Sequence, residues 1–413
     1  MVDLLECTVM PYAWGSHTAM AELMGRGSPS SQPEAELWMG AHPMAPSRLS
    51  RNGGSKDLAA LIAEDASREL GDEVMASYGP RLPFLVKLLA AEQPLSLQAH
   101  PNAEQAKRGF EEEERRRIPR DAPNRSYKDT SHKPELLCAL VPVEALCGFR
   151  RVSDTLRLFD ELGVRELEPV LAPLRSAPGP EGLSALFNTL MTMRQDEGAR
   201  LVSATVTACK TQLARGESQF VREYEWATKL AALYPGDVGV VSALLSNRIR
   251  LEPGEALYLG AGNLHAYLSG FGVEVMASSD NVLRGGLTKK HVDVPELMRV
   301  LDFSDGPVHA VRARAVDAHE RVWDTPAREF RLSAIELGAN DDAGDVVTRK
   351  VRGPEILVST RGTVAITPAD GSPVVVLEPG CSAFVPAATG SYAVRANPPS
   401  AGASLYRATV NLT

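Results

Sequence analysis

Arg248-Ile-Arg-Leu-Glu-Pro-Gly-Glu-Ala-Leu-Tyr-Leu-Gly-Ala-Gly-Asn-Leu-His-Ala-Tyr267 is the stretch whose reading decides the fold of this chain. Two short strand-like runs, Arg248–Leu251 and Ala256–Leu259, flank Pro253-Gly254, which suits the central positions of a type II turn. A glycine-flanked turn then returns the chain into a third run at His265. Strand, tight turn, strand, turn and strand spell an antiparallel β architecture.

Working outward, residues 1 to about 150 likewise mix short strand-like runs with turns, and add a few helices. Pro83-Phe-Leu-Val-Lys-Leu-Leu reads as a buried strand, and Leu95-Ser-Leu-Gln-Ala-His100 as a strand whose Ser96, Gln98 and His100 share one face. Ser55 is placed as the N-cap of a short helix through Leu58, Leu61 and Ile62. Asn102 with Gln105 forms a capping-box signal for a helix through Phe110. Glu111-Glu-Glu-Glu-Arg-Arg-Arg reads as a solvated helix end or loop. Between 151 and 235 the period changes: Leu183, Leu186, Phe187, Leu190 and Met191 fall at helical spacing, with Leu156, Phe159 and Leu162 suggesting another helix before them. Strands return from Arg248 onward, in the segment 236–309, where Asp293 is expected to cap a helix carrying Leu297, Val300 and Leu301. Residues 310–413 hold many short alternating strands. The expected organisation is one β domain, 1–150 and 236–309, interrupted by a helical insertion at 151–235 and followed by a C-terminal β domain.

A chain of 413 residues exceeds what one core usually holds. Its net charge of −8 disfavours nucleic acid and anionic membranes as partners. An anionic small substrate would need a local basic pocket. The N-terminus lacks the marks of a signal peptide. No run of about 18 apolar residues marks a membrane span. The five scattered cysteines form no CxxC pair, as reduced thiols of a cytoplasmic protein would. The oligomeric state is left open, with a monomer compatible.

Three segments offer metal ligands. Gln98-Ala-His100 presents two side chains to one strand face. Ser131-His-Lys-Pro-Glu135 places Lys133 and Glu135 together on a face and His132 on the other. The turn Gly260–Tyr267 supplies His265. Two imidazoles, a carboxylate and a carboxamide suit Zn²⁺. His17, His42, His132 and His291 are the competing histidines, with His17 and His42 read as structural.

Six segments, in order, resemble type I mannose-6-phosphate isomerases: Tyr12-Ala-Trp-Gly-Ser, Glu36-Leu-Trp-Met-Gly-Ala-His-Pro, Pro94-Leu-Ser-Leu-Gln-Ala-His-Pro, Tyr127-Lys-Asp-Thr-Ser-His-Lys-Pro-Glu-Leu, Pro253 through Tyr267, and Asn281-Val-Leu-Arg-Gly-Gly-Leu-Thr-Lys-Lys. The resemblance covers roughly residues 10 to 305. It implies a mainly β chain of cupin (jelly-roll) barrels with a helical insertion. It also implies one Zn²⁺ held by Gln98, His100, Glu135 and His265. It matches Arg284 to an active-site arginine, Glu274 and Asp280 to acidic pocket positions, Lys133 and Lys290 to basic ones, and Ser96 to a serine beside the substrate. Lys289 stands where the family often has Pro, and the last hundred residues match weakly.

The implied reaction interconverts mannose 6-phosphate and fructose 6-phosphate by proton transfer through an enediolate, within mannose metabolism and GDP-mannose biosynthesis. In that reading Glu274 is the expected general base, with an ion pair to Arg284 as its structural alternative. Lys133 and Lys290 are candidates for the phosphate or for proton relay. Trp14 and Trp38 are pocket-side packing residues, Trp14 also a substrate contact. Two rivals are a cupin dioxygenase, which wants redox-active iron and fewer cations nearby, and a sugar-phosphate sensor without turnover, which would not need this complement of ligands and polar groups.

Overall fold

The computed structural model describes residues 1–51, 53–338 and 346–412. The strand His265–Ala277 organises the region around the site. Its second half lies between Phe84–Ala91 and Glu135–Ala139, and its first half pairs with Gln98–Ala99 and Val143–Phe149, all antiparallel. Gly270 marks the corner between the two sheets at φ +124°, where an added Cβ would stand 2.7 Å from the Pro142 carbonyl oxygen. Only glycine passes there. The space between the sheets is filled from both sides, by Leu89, Leu137 and Leu257 on one and Ala145, Leu251 and Tyr267 on the other.

Phe84–Ala91 is buried along its whole length. Phe84, Val86, Leu88 and Ala90 pack with Phe384 and Tyr406 of the C-terminal sheet, while Leu85, Leu89 and Ala91 belong to clusters on the other face. A strand covered on both faces reads as an unbroken apolar run. On the other wall, Leu97, Ala99, Leu264, Ala266 and Leu283 face the helices, leaving Gln98, His100, His265 and Arg284 to the interior. Helices on one flank and the C-terminal sheet on the other thus enclose the barrel that carries the site. Among the described residues no helix is long and apolar enough to cross a membrane.

Several local expectations change. Asp57, not Ser55, caps Leu58–Glu64, accepting from Ala60 N–H at 2.6 Å. Strand pairing in 95–100 is confined to Gln98–Ala99, because Leu95 and Leu97 bond instead to Tyr267 and Gly286. Helices run from Val152 to Leu245, and the strand Ser246–Leu251 follows at once, starting two residues ahead of the expected Arg248. The charge run is not all solvated: Glu113 is buried, accepting from Ser126 and Tyr127 N–H and pairing with Arg125 at 2.8 Å. The N-terminal strand Asp3–Leu5 joins the C-terminal sheet through Ser382–Val385. The capping box at Asn102 and Gln105 and the Asp293 cap form as read.

Candidate active site

Register brings the ligand set together. Gln98 is directly opposite both His265 and Arg284, so the three side chains lie in a row on one face. Glu135 begins the strand Glu135–Ala139, with Lys133 in the extended segment just before it rather than on the strand. Their side chains still meet, Lys133 Nζ lying 3.0 Å from Glu135 Oε1. His132 turns away to Glu329.

His100 Nε2 lies 3.3 Å from Glu135 Oε1, His265 Nε2 lies 3.5 Å from Glu135 Oε2, and the Gln98 amide nitrogen lies 3.3 Å from His265 Nε2, so a half-turn of the carboxamide would present its oxygen there. A tetrahedral ion with bonds of about 2.0–2.1 Å sets its ligands roughly 3.3–3.4 Å apart. The other ring nitrogens are committed: His100 Nδ1–H donates to the Asn281 carbonyl at 2.7 Å and His265 Nδ1–H to the Asn263 carbonyl at 2.9 Å. Both Nε2 lone pairs therefore point at one centre. Among the described residues, His100 Nε2 and Glu135 Oε2 are buried without a hydrogen-bond partner, and His100, Glu135 and His265 form the one acid–histidine–cysteine cluster of metal-binding geometry. Burial pushes His100 down to about 4, keeping the imidazole neutral. Burial disfavours the Glu135 carboxylate, but Lys133 and His100 outweigh it and hold Glu135 well below the usual range. Neutral imidazole and ionised carboxylate are the forms a cation binds. The residues fit zinc.

Behind the ligands lies a charged group that the sequence reading did not single out. Lys87 Nζ is 3.1 Å from Glu274 and 3.3 Å from Glu36, Trp38 Nε1–H donates to Glu36 at 2.7 Å, and the Tyr267 hydroxyl donates to Glu274 at 3.2 Å. Glu274 thus pairs with Lys87, and the alternative partner Arg284 makes no ion pair among the described residues. Burial raises Glu274 against the pull of Lys87; burial also opposes the Lys87 ammonium, but Glu274 and Glu36 hold it protonated. Lys87→Met would strand two buried acids, and we expect it to cost about 3–5 kcal/mol of stability. An acid left unpaired binds its proton more tightly folded than unfolded, so this penalty should shrink as pH falls. Urea unfolding at pH 8 and pH 5.5 measures both; a loss under about 1 kcal/mol at pH 8 would contradict the pairing.

Asp280 lines a cleft of about 610 Å³ together with His42, Lys128 and Asp129. Met44 N–H donates to His42 Nδ1, leaving Nε2–H for Asp280 Oδ2 at 3.3 Å. Burial works against the Asp280 carboxylate, but His42 and then Lys133 and Lys128 hold it below its ordinary value. His42, read as structural, therefore also borders the cleft. Asn281 rivets the segment behind it: Oδ1 accepts from Lys128 N–H, and Nδ2 donates to the Asp129 and Ser131 carbonyls. Arg284 is half-buried, and burial lowers its pKa. Burial first, then the positive charges of Arg284 and Lys128, lower Lys290. Ser96 is half-buried two residues before Gln98. Trp14 stacks on Tyr12 and packs on the interior apolar cluster.

The sequence model of the phosphomannose isomerase type I catalytic domain matches residues 2–152. The mannose-6-phosphate isomerase of Escherichia coli (strain K12) is 40% identical over 384 residues, spanning 92% of this chain and 93% of that protein. The chain belongs to the type I phosphomannose isomerase family. Members so named from Rattus norvegicus and Arabidopsis thaliana are 35% and 33% identical, over 88% and 98% of this chain and 88% and 93% of theirs. Among solved structures, a zinc-bound mannose 6-phosphate isomerase is similar over 100% of both chains, with 35% identity and a TM-score of 0.88. A structure bound with zinc and yttrium gives the same values. These phosphomannose isomerase neighbours agree with the cupin class and the zinc expected here.

Proposed function

We propose that this chain is a zinc-dependent aldose–ketose isomerase interconverting mannose 6-phosphate and fructose 6-phosphate, and that the interior face of the barrel is where it does so. The observation that carries this reading is the convergence of His100, Glu135 and His265 on one centre, with Gln98 beside them in register with Arg284, which makes no ion pair among the described residues. Zinc bound there would polarise a sugar oxygen or acidify a water. Gln98 adds a polar ligand without a second negative charge, so the centre stays electrophilic.

The protein's own groups divide the remaining work. Lys133 sits at the metal ligands, 3.0 Å from Glu135, and so belongs to the reacting end of the sugar. Arg284, aligned with Gln98 and without an ion pair among the described residues, is the group we assign to charge developing on the substrate oxygens. Glu274 has the raised basicity that carbon deprotonation wants, with Lys87 and Tyr267 as its hydrogen-bonding neighbours. Asp280, held by His42 at the cleft, is positioned for sugar hydroxyls. Ser96 and Trp14 flank the approach. Lys290, which feels the charges of Arg284 and Lys128 and makes no ion pair among the described residues, is the cation we assign to the phosphate group. Together they make the local basic pocket that the acidic surface requires.

A coupled assay for fructose 6-phosphate tests the reading. Lys290→Ala is expected to raise KM for mannose 6-phosphate by about 10- to 100-fold, the worth of one charge-assisted contact, with kcat nearly intact. An unchanged KM would move the phosphate elsewhere.

A further inference from the structure

The helical unit meets the segment 285–290 through an unusual backbone arrangement. Beyond Arg284, Gly285 N–H donates to the Leu97 carbonyl at 2.7 Å and Leu97 N–H to the Gly286 carbonyl at 3.1 Å, continuing the wall that holds Gln98. Leu287 then adopts φ +55°, in the left-handed region. Leucine stays there only where its surroundings over-determine it. Here its side chain is fully buried in the core built by the helices. Gly286 backs onto Gly239: a Cβ on either would stand within 3.0 Å of the other's Cα.

Asp237, just ahead of the helix Gly239–Leu245, spends both carboxylate oxygens on this junction. Oδ2 accepts from Thr288 N–H at 3.1 Å and Oδ1 from Gly239 N–H at 2.7 Å. Thr288 Oγ1 in turn accepts from Lys290 N–H at 3.1 Å. A chain of contacts therefore runs from the helices to the Lys290 backbone without involving the metal ligands.

We propose that Asp237 and Leu287 form a latch through which the helical unit sets the distance of Lys290 from Arg284, and so tunes affinity for the phosphate end of the substrate. This rests on the placement of the phosphate at Lys290. Both are positioning residues, because neither faces the cleft. The latch predicts a specific split: loosening it disperses Lys290 while the zinc ligands and Arg284, held by the barrel ladder, stay where they are.

The test uses zinc-loaded enzyme, mannose 6-phosphate as substrate and inorganic phosphate as competitive inhibitor. Asp237→Ala should raise both KM and the phosphate inhibition constant about tenfold, the scale of a small misplacement of a binding group, with zinc content and kcat within about twofold of the parent. Asp237→Asn, which keeps its size and one acceptor oxygen, should fall between, and supplies the reading if the alanine variant does not fold. Unchanged KM and inhibition constant in a folded variant would overturn the latch. So would loss of zinc or kcat at constant KM, which would make Asp237 a prop for the metal centre. If Lys290→Ala itself leaves KM unchanged, the placement of the phosphate fails first, and the latch with it.

Discussion

Glu135→Gln is expected to lower zinc affinity by at least about 100-fold and to abolish turnover at ordinary zinc levels, while Lys133→Met keeps its zinc and is damaged in substrate handling. Glu135 is the only anionic member of the ligand set, and both its oxygens face histidine Nε2 atoms at 3.3 and 3.5 Å. Removing even a group that merely supports a ligand costs about 10- to 100-fold in affinity, so removing the ligand's charge costs at least as much. Lys133 lies against the same carboxylate at 3.0 Å, but an ammonium has no lone pair to offer. Its loss therefore changes substrate handling and not the ion. If Lys133 relays protons between oxygens, kcat falls; if it grips an oxygen of the bound sugar in ground and transition states alike, KM rises. Equal zinc loss in both variants, measured by metal analysis of the purified proteins, would contradict the assignment.

Arg284→Ala is expected to lower kcat about 100- to 1,000-fold, the usual result of removing a donor aimed at developing charge, with little change in KM. Folding should survive, for a reason visible in the ion-pair pattern. Arg284 has no acid partner among the described residues and is disfavoured only by burial, so its removal leaves no orphaned charge. That separates it from Lys87, whose loss strands Glu36 and Glu274. Steady-state kinetics with a thermal melt as control decides between the roles. Near-normal kcat would make Arg284 a structural residue.

The cluster of His100, Glu135 and His265 was legible in part because a strand repeats every two residues, which set Gln98 and His100 on one face, and because His265 follows a glycine-flanked turn that returns into a strand. The roles of Arg284, Lys290 and Glu274 were not legible from spacing and entered through resemblance alone. Lys87 was missed although its signal was present, a single ammonium inside Phe84-Leu-Val-Lys-Leu-Leu-Ala-Ala, where burial on both faces demands an acid partner. Which acids answer it depends on pairing with Trp38 and Glu274, strands separated by many residues, and no local pattern encodes that register. Asn281 was hidden for the same reason, since its bonds reach back to Lys128, Asp129 and Ser131. Ser55 and Asp57 are both good caps; the hairpin Arg48–Arg51 with Gly54–Asp57 continues through Ser55 and leaves Asp57 at the helix start. The left-handed Leu287 could not be foreseen, because what holds it is the helical core.

The most direct test of the account is zinc analysis combined with turnover of mannose 6-phosphate before and after chelation. The account predicts about one tightly held zinc per chain in a closed N/O ligand set of this kind, turnover lost with the metal, and turnover regained when Zn²⁺ is returned. Full activity in demonstrably metal-free protein would contradict it.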